Sequence, residues 1–491
     1  MNEQSLDFNQ EEFAALLSQG NEKILGLFDK VTSQPGFHDA PQQEVESWFD
    51  EPLPQQGMEA SDLLDFVDEK VLQTATGNMG PHMYAYVMAG GTQMAVVAEQ
   101  LAATINQNLG KWHLGPAMNE IEKRIVQWGA EIIDYPTPAG GVMVSGGSAA
   151  NLAGLTVARN VFFEKLEIRK KGLFGQKPFI AYASKEVHGC VDKSLEVLGI
   201  GTDNLRKIDT KPNFTIDLAL LEAQIIKDRE AGLTPFCLIA NAGTVNTGAV
   251  DDMVAMAALA GKYDLWFHVD GAYGALAACL SGIKALYKGM ELADSVAIDF
   301  HKWLYQPFEA GCLLVKDWSI LKRAYYKEAA YLDTQSEREI GRLDANKHYF
   351  QLSRNSKAFK VWMSLKAYGF PAIRDMIQKD VDLAAYLADM VEAAPDFELK
   401  ARSELAIACF RYKGRLTNET DIIVLNKALI PALEADGRVF ITGTLIHGEF
   451  VIRACLINHR KTKATTEYLV EVIREVGKQL ENELFSAKVE S

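Results

Sequence analysis

The sequence predicts an α/β fold with a large, mainly parallel sheet covered by helices, a helical N-terminal arm and a small C-terminal α+β domain. From about Gly90 onward, short apolar runs alternate with helix-length segments, which is typical of parallel strands joined by helical crossovers. These runs are GGVMVSGG, PFIAYAS, PFCLIANAG, LWFHVDGAYG, DSVAIDF and GCLLVKD. Two later runs, ELAIACFRYKG and GEFVIRACLIN, predict strands of the C-terminal domain.

The N-terminal segment predicts helices that have little core of their own. EEFAALLSQGNEKILGLFDKV and SDLLDFVDEKVLQTA repeat apolar residues at three- and four-residue spacing, and TSQPGFHDAPQQ between them predicts a loop. Because such an arm cannot bury its apolar face alone, we expect it to pack on a second subunit. The predicted units are a helical, dimer-forming arm over 1–92, the large α/β domain over 93–367 and the small domain over 368–491.

Composition and charge exclude several classes of partner. The chain has 491 residues, of which 48% are hydrophobic, enough for a large core. Its formal net charge of −15 argues against nucleic acid and anionic membranes as partners. No run of about 18 apolar residues occurs. The N-terminal MNEQSLDFNQEEF is acidic where a signal peptide would be basic and then apolar, so we expect a cytoplasmic protein.

The cysteines give no sign of a metal centre. The chain has six, none in CxxC spacing, and most stand in apolar runs: Cys190, Cys237, Cys279, Cys312, Cys409 and Cys455. This pattern favours buried, reduced thiols over a metal site, and we expect no bound metal.

Polar or flexible residues follow three of the predicted strands, at the sheet edge where open α/β folds bind ligands. In VMVSGGSAANLAGL, a Gly-Gly turn leads into a helix near Ser148 that could bind an anion, although alone it is more often ordinary structure. Asp270 follows an apolar run, where a carboxylate is costly unless it meets a cation or several donors. Lys302 follows SVAIDF and by itself could simply extend to the surface.

Together, the glycine turn, the carboxylate and the lysine predict a site for pyridoxal 5′-phosphate. In such a site the lysine forms a Schiff base with the cofactor, the carboxylate keeps the pyridine nitrogen protonated, and the turn holds the phosphate. The chain lacks GxSxG, HExxH and GxxxxGK[ST], so hydrolase, zinc peptidase and P-loop functions lack their minimal residues. Another enzyme of this cofactor fold, such as an aminotransferase or aldehyde-forming synthase, and a non-catalytic binding protein remain as alternatives.

HVDGAYG and DFHKWL resemble motifs of the group II pyridoxal-phosphate decarboxylases, the family of aromatic-L-amino-acid, glutamate and cysteine sulfinate decarboxylases. Further similar segments are PHMYAYVMAGG, GPAMNEIEKRIVQW, SGGSAANL, EVHGCVDKSLEVLGIG, NAGTVNTGAVDD, SRNSKAFKVWMSLKAYG and RACLINHRKT. The resemblance implies pyridoxal-phosphate fold type I with a seven-stranded sheet, a homodimer, and decarboxylation of an L-amino acid to the amine and CO2.

The resemblance also assigns roles to individual residues. Lys302 would hold the cofactor covalently, Asp270 would pair with the pyridine nitrogen, and His188 would stack on the ring near the substrate carboxylate. The other cofactor contacts would come from Gly147, Ser148, Ala149, Thr244, Ala272 and His301. Asp299 stands where several relatives have asparagine, and its role stays open because a carboxylate repels a phosphate.

Tyr331, in KEAAYLDTQSEREIG, resembles the tyrosine of the family's catalytic loop. Decarboxylating members have tyrosine there, where aldehyde-forming members have phenylalanine. A phenol can protonate the former α-carbon after CO2 leaves, whereas a phenyl ring cannot. Tyr331 therefore predicts that the product is an amine.

The same resemblance implies that Tyr86 and Ser353 belong to the substrate pocket. Val87 and Met88, which follow the tyrosine, are apolar and fit an aromatic or another apolar side chain, while acidic and diamino substrates remain open. An acidic substrate would need an additional cation in the pocket. Lys111 and Arg354 are the candidates for that cation.

Overall fold

The structure is a computed structural model that describes residues 6–326 and 342–489. Tyr331, the predicted proton donor, lies outside these residues. Within them, no helix is both long enough and apolar enough to cross a membrane.

The N-terminal segment forms three helices, as the apolar spacing predicts. They are α1 (Gln10–Lys30), α2 (Gln42–Phe49) and α3 (Ala60–Val67), with a π-helical turn at Asp68–Leu72. Helix α1 begins with a capping box, in which Asn9 Oδ1 accepts from the N–H of Glu12 and the Glu12 carboxylate accepts from the N–H of Asn9. None of the residues in α1, α2 or α3 is buried, so this arm has no core of its own.

Helices α4 (Gln93–Ile105) and α5 (Pro116–Ile132) lead into the large sheet. Its strands are β1 (Gly140–Val144), β2 (Phe179–Ser184), β3 (Leu205–Ile208), β4 (Thr234–Asn241), β5 (Trp266–Asp270), β6 (Ser295–Asp299) and β7 (Gly311–Val315). The helices between and after them are α6 (Gly147–Phe162), α7 (Ile168–Lys171), α8 (Cys190–Val197), α9 (Leu218–Glu230), α10 (Met253–Tyr263), α11 (Phe300–Trp303) and α12 (Trp318–Tyr325). The six predicted strands of this domain are all present, and β3 is an addition that the sequence did not predict.

The strand order is β1-β7-β6-β5-β4-β2-β3, and only β7 runs antiparallel to its neighbours. Because β7 pairs antiparallel with both β1 and β6, those two strands run in the same direction. The carboxyl ends of β1, β2, β4, β5 and β6 therefore lie at one edge of the sheet. The predicted mainly parallel, seven-stranded sheet is confirmed.

Helices cover both faces of this sheet, and all residues of β1, β5, β6 and β7 are buried. Alternate side chains enter different cores, as strand geometry requires. Met143 and Ile298 belong to one apolar cluster, whereas Val142 and Ala297 belong to the other. Burial on both faces explains why these strands are continuous apolar runs in the sequence.

The C-terminal part is an antiparallel sheet with helices packed against it. Its strands, β8 (Phe397–Arg402), β9 (Ile407–Tyr412), β10 (Thr442–Ile446) and β11 (Glu449–Cys455), have the order β10-β11-β9-β8. Its helices are α13 (Ala358–Tyr368), α14 (Phe370–Ala393), α15 (Glu419–Asp436) and α16 (Lys463–Val489). Short 3₁₀ turns lie at Trp112–Leu114, Glu164–Leu166, Thr202–Asn204, Ala275–Cys279, Lys284–Tyr287, Met290–Leu292 and Ala345–Lys347.

The domain boundaries stay a prediction. The boundary after residue 92 coincides with the start of α4, whereas the boundary after residue 367 falls just before the last residue of α13. One buried apolar cluster contains both Phe267 of β5 and Ile452 of β11, so the core continues from the large sheet into the C-terminal sheet.

Candidate active site

The sheet topology gathers the predicted cofactor residues at one edge. Gly147 follows β1, Asp270 ends β5, and Lys302 lies in α11 directly after β6. Thr244 and His188 follow β4 and β2, which end at the same edge. Residues that are far apart along the chain therefore lie close together at this edge of the sheet.

The glycine turn after β1 approaches its neighbours too closely for a side chain. A Cβ on Gly147 would lie 2.7 Å from Ala272 Cβ and 2.8 Å from Asp299 Oδ2. The first-turn N–H groups of a helix have no acceptor within that helix, so α6 presents the amides of Ser148 and Ala149 toward an anion. Ser148 is exposed and Ala149 is half-buried.

Asp299 links the glycine turn to the lysine-bearing helix. Its side chain is 1% exposed, and Oδ2 accepts a hydrogen bond of 2.9 Å from the N–H of Gly147. The same oxygen lies 3.1 Å from Lys302 Nζ and 3.4 Å from His301 Nε2. The carboxylate is thus directed at donors of its own chain, a role that the sequence did not reveal.

His301 and Lys302 occupy the start of α11 with different exposure. His301 is buried, and its Nδ1 accepts a hydrogen bond of 3.2 Å from the N–H of Ala310. Burial lowers the pKa of His301, and the nearby Asp299 carboxylate opposes that shift. The Lys302 side chain is 19% exposed, so its amine remains accessible from the sheet edge.

Strand β5 ends at Asp270, and two residues earlier it carries a buried histidine, His268, that the sequence analysis did not single out. Asp270 is 7% exposed, and its Oδ1 accepts a hydrogen bond of 3.2 Å from the N–H of Ala272. His268 lies on the same face of β5, with Nδ1 2.8 Å from Ser295 Oγ and Nε2 2.9 Å from Asn151 Oδ1. Burial lowers the pKa of His268 to about 4, so the ring is neutral at pH 7 and joins β5, β6 and α6 by hydrogen bonds.

Thr244 and His188 lie at the same edge in different environments. Thr244 is 1% exposed, and its hydroxyl accepts a hydrogen bond of 3.1 Å from the N–H of Ala249 while lying 3.0 Å from Thr247 Oγ1. His188 is exposed, and its Nδ1 accepts from the N–H of Cys190 at 3.2 Å. The structure thus gives Thr244 a fixed position and leaves the His188 ring accessible.

Tyr86 is connected to this edge through Arg453, a residue of the RACLINHRKT motif. Tyr86 is 58% exposed and has a φ of 55°, a strained conformation for a tyrosine. The guanidinium of Arg453 donates to Tyr86 O and to Val245 O, at 2.8 Å each. Arg453 is 4% exposed, and its Nη2 has no hydrogen-bond partner among the described residues. Arg453 is thus a buried cation whose Nη2 can still donate hydrogen bonds.

Ser353 is exposed, and no hydrogen bond links it to the cofactor residues within the described part of the chain. The neighbouring Arg354 is buried, and its Nη2 donates to both carboxylate oxygens of Glu122, at 2.6 and 2.7 Å, and to Met143 O at 3.0 Å. Arg354 is therefore neutralised by Glu122 and braces β1. Lys111, the other candidate cation, is 8% exposed.

This arrangement fits pyridoxal 5′-phosphate. A glycine turn that admits no Cβ opens onto a helix N-terminus suited to a phosphate. Asp270 is a buried carboxylate that can hold a protonated ring nitrogen, and Lys302 provides an accessible primary amine. Fold and donor set together define a pyridoxal-phosphate enzyme.

Comparison with known proteins identifies the family. The family profile described as "Pyridoxal-dependent decarboxylase conserved domain" matches residues 41–413. The chain belongs to this family, and its activity is that of a pyridoxal-phosphate-dependent amino acid decarboxylase. The family and the cofactor predicted from the sequence are confirmed.

The relatives of this chain have different named activities. The chain is 32% identical over 474 residues, 96% of each sequence, to the aromatic-L-amino-acid decarboxylase of Bacillus atrophaeus. It is 28% identical over 402 residues to the phenylacetaldehyde synthase of Arabidopsis thaliana, covering 80% of this chain and 81% of the synthase. Among solved structures, the glutamate decarboxylase domain of diaminobutyrate-pyruvate transaminase and L-2,4-diaminobutyrate decarboxylase from Vibrio parahaemolyticus is 27% identical, with a TM-score of 0.85 and 97% of each chain covered.

The buried pair of Arg354 and Glu122 predicts a large effect on stability. Arg354→Met leaves the Glu122 carboxylate buried without its cation, so we expect the free energy of unfolding to fall by about 3 kcal/mol. The double variant Arg354→Met/Glu122→Gln should recover part of that loss, because it removes the uncompensated charge. Denaturant unfolding measures both, and a single variant as stable as the native protein would contradict the structural role.

Proposed function

We propose that this decarboxylase acts on aromatic L-amino acids and releases the corresponding amine and CO2. The main structural support for this substrate class is the ion pair between Arg354 and Glu122. Because Arg354 is already paired, only one of the two candidate cations is left to bind an acidic side chain. Val87 and Met88, both partly buried, leave an apolar lining beside Tyr86. The name of the Bacillus atrophaeus relative supports the same class.

We propose the cofactor contacts that the family resemblance implies. Lys302 provides the amine for covalent attachment, and Asp270 holds the proton on the ring nitrogen. His188, Thr244 and Ala272 would hold the ring of the bound cofactor, and Gly147, Ser148, Ala149 and His301 would hold its phosphate. When bound, pyridoxal phosphate would supply a cationic ring that accepts the electron pair left on the α-carbon when the carboxylate leaves as CO2. Asp270 serves this chemistry because a buried anion stabilises the protonated form of the nitrogen.

Arg453 is a further residue that we assign to the substrate. Its unpartnered, buried Nη2 is suited to a carboxylate, because a guanidinium forms strong charge-assisted hydrogen bonds with that group. Its other nitrogens are held by the carbonyls of Tyr86 and Val245, so the cation has a fixed position. We propose that Arg453 orients the substrate through its α-carboxylate and that Tyr86 and Ser353 line the pocket.

Proton delivery decides which product forms. We propose that the Tyr331 phenol donates a proton to the former α-carbon, which completes the amine. The alternative is an aldehyde-forming synthase, the activity named for the Arabidopsis thaliana relative. The tyrosine at position 331 favours the amine, because phenylalanine at that position would leave the carbon without its acid.

We propose that the enzyme is a homodimer in the cytoplasm. An arm surface made of exposed apolar side chains on α1, α3 and α4 is suited to burial against a second copy of the chain. It comprises Phe13, Leu17, Leu25, Leu63, Val97, Leu101 and Ile105. The cytoplasmic location is supported by the cysteines, which are free thiols, five of them buried.

The substrate class is tested by measuring CO2 and amine release from all common L-amino acids, cysteine sulfinate and 2,4-diaminobutyrate. We expect kcat/KM for aromatic substrates to exceed that for acidic ones by at least about a hundredfold, because an unpaired carboxylate is costly in an apolar pocket. Lys302→Ala, purified in parallel, should bind cofactor without sustained turnover. Preferred turnover of glutamate or cysteine sulfinate would exclude the proposal.

Tyr331→Phe tests the proton donor. Amine formation should fall by about a hundredfold, with aldehyde, ammonia and hydrogen peroxide formed as dioxygen is consumed. Tyr326→Phe, five positions earlier, removes a phenol that the site does not use and should behave as the native enzyme. Product analysis with an oxygen electrode distinguishes the two variants, and native amine formation by Tyr331→Phe without peroxide would refute the assignment.

The homodimer is tested by sedimentation equilibrium at micromolar concentration. The native chain should sediment as a dimer, whereas Leu101→Asp, which puts a charge into the arm surface, should shift it toward monomer with loss of activity. Val424→Asp changes a similarly exposed side chain on α15 and should leave the dimer intact. A fully active native monomer would rule out the proposed assembly.

A further inference from the structure

Four buried polar side chains connect strands β5 and β6 with helix α6. They belong to Trp266, Ser295, His268 and Asn151, whose exposed fractions are 7%, 0%, 0% and 0%. Trp266, His268 and Asp270 share one face of β5, because alternate residues of a strand point to the same side. Ser295 is the register partner of His268 on β6. Polar groups buried to this degree are costly unless they are satisfied, so their partners show what they hold in place.

Each of these side chains lies within hydrogen-bond distance of the next. Trp266 Nε1 donates to Ser295 Oγ at 2.9 Å, and that oxygen lies 2.8 Å from His268 Nδ1. His268 Nε2 lies 2.9 Å from Asn151 Oδ1. Asn151 Nδ2 donates to Gly147 O at 3.0 Å. This hydrogen-bond chain therefore ends on the turn to which we assign the cofactor phosphate.

The two ends of the hydrogen-bond chain fix the direction of every bond in it. Gly147 O can only accept, so Asn151 presents Nδ2 to it and Oδ1 to His268, whose Nε2 must then carry a proton. Burial lowers the pKa of His268 to about 4, so the ring is neutral and Nδ1 is an acceptor. The Ser295 hydroxyl donates to that nitrogen and accepts from the Trp266 indole, which can only donate.

Other contacts also hold the turn. Gly147 N–H donates to Asp299 Oδ2 at 2.9 Å, and the first hydrogen bond of α6 joins the N–H of Ala150 to Gly146 O at 2.9 Å. These contacts tie the turn to β6 and to its own helix. The Asn151 side chain is the link to His268, and hence to β5. Loss of this link should leave the turn formed and loosen its position relative to β5.

We propose that Ser295, His268 and Asn151 are positioning residues that set the phosphate turn against the end of β5. That strand also carries Asp270, so the hydrogen-bond chain holds the proposed sites for the phosphate and the ring nitrogen of one rigid cofactor at a matching separation. The inference rests on the proposed cofactor contacts. A role in stability alone would weaken the binding of every form of the cofactor alike, whereas this role concerns the phosphate.

The test compares pyridoxal 5′-phosphate with 5′-deoxypyridoxal, which keeps the aldehyde and the ring nitrogen but lacks the phosphate. Each is titrated into the full-length chain after removal of its cofactor, and visible absorbance gives each Kd. The native chain should strongly prefer the phosphate form. Asn151→Leu should lower this preference, the ratio of the two Kd values, by about tenfold, the size expected for one lost buried hydrogen bond.

Asn426→Leu is the matched control. Asn426 is also 0% exposed on a helix, and its Nδ2 likewise donates to a carbonyl four residues earlier, Ile422 O, at 2.8 Å. Because it lies on α15, its loss should lower the melting temperature without changing the ratio of Kd values. A ratio that falls equally in Asn426→Leu would mean a general effect of stability and would overturn the proposal.

Ser295→Ala tests the hydrogen-bond chain from its far end, since it deletes one oxygen that does not touch the turn. We expect about a threefold lower preference, because His268 loses the donor that holds it in one tautomer. The double variant with Asn151→Leu should be no worse than Asn151→Leu alone. A native ratio in Ser295→Ala, or losses that multiply, would overturn the proposal. If Asn151→Leu does not fold, Ser295→Ala decides. Equal binding of both compounds by the native chain would instead refute the phosphate site itself, and the proposal with it.

NMR of the holoenzyme tests the direction of the hydrogen-bond chain without a binding measurement. Histidines are labelled with an NMR-active nitrogen isotope, and the His268 signals are identified by their loss in His268→Gln. They should show a proton on Nε2 and none on Nδ1, and Ser295→Ala should mix the two tautomers. A native ring with its proton on Nδ1 would reverse the direction and overturn the proposal.

Discussion

The antiparallel strand β7, inserted between β1 and β6, is the constraint on which the site depends. Its pairing makes β1 run parallel to β6, so the glycine turn after β1 emerges beside the lysine after β6. The approach is close, because a Cβ on Gly311 of β7 would lie 2.5 Å from Gly146 Cα and 2.8 Å from Asp299 Oδ1. Glycine at 147 and 311 therefore lets the turn after β1 and the lysine-bearing turn after β6 lie close together.

Buried polar groups then fix the elements around this edge. His268 joins β5 to Ser295 of β6 and to Asn151 of α6, and Gly154 leaves room for its ring, since a Cβ there would lie 2.5 Å from His268 Cε1. Asp299 joins the first residue of α6 to the lysine-bearing turn. Because these hydrogen bonds lie inside a low-dielectric core, they fix the positions of the strand ends that carry Asp270 and Lys302.

The strands that the sequence predicted and those that it did not differ in burial. β1, β5, β6 and β7 are buried throughout, so their residues form unbroken apolar runs that any pattern analysis detects. In β3 only Leu205 and Ile208 are buried, with Arg206 and Lys207 between them, and β8 and β10 are similarly half-exposed. Such edge strands form because of the strands they pair with more than because of their own composition. Their sequences therefore lack a clear strand pattern.

The sequence by itself determined the parallel sheet and the chemistry at its strand ends, since apolar runs and the residues that follow them are local properties of the chain. Only the tertiary structure decided that Asp299 faces Gly147, that Arg354 is consumed by Glu122, and that Arg453 reaches Tyr86 across 367 positions. Periodicity reports which face of an element is buried, and it carries no information about which distant element covers that face. The partner of a buried charge depends on which distant segments the fold brings together, so it can be identified only in the folded protein.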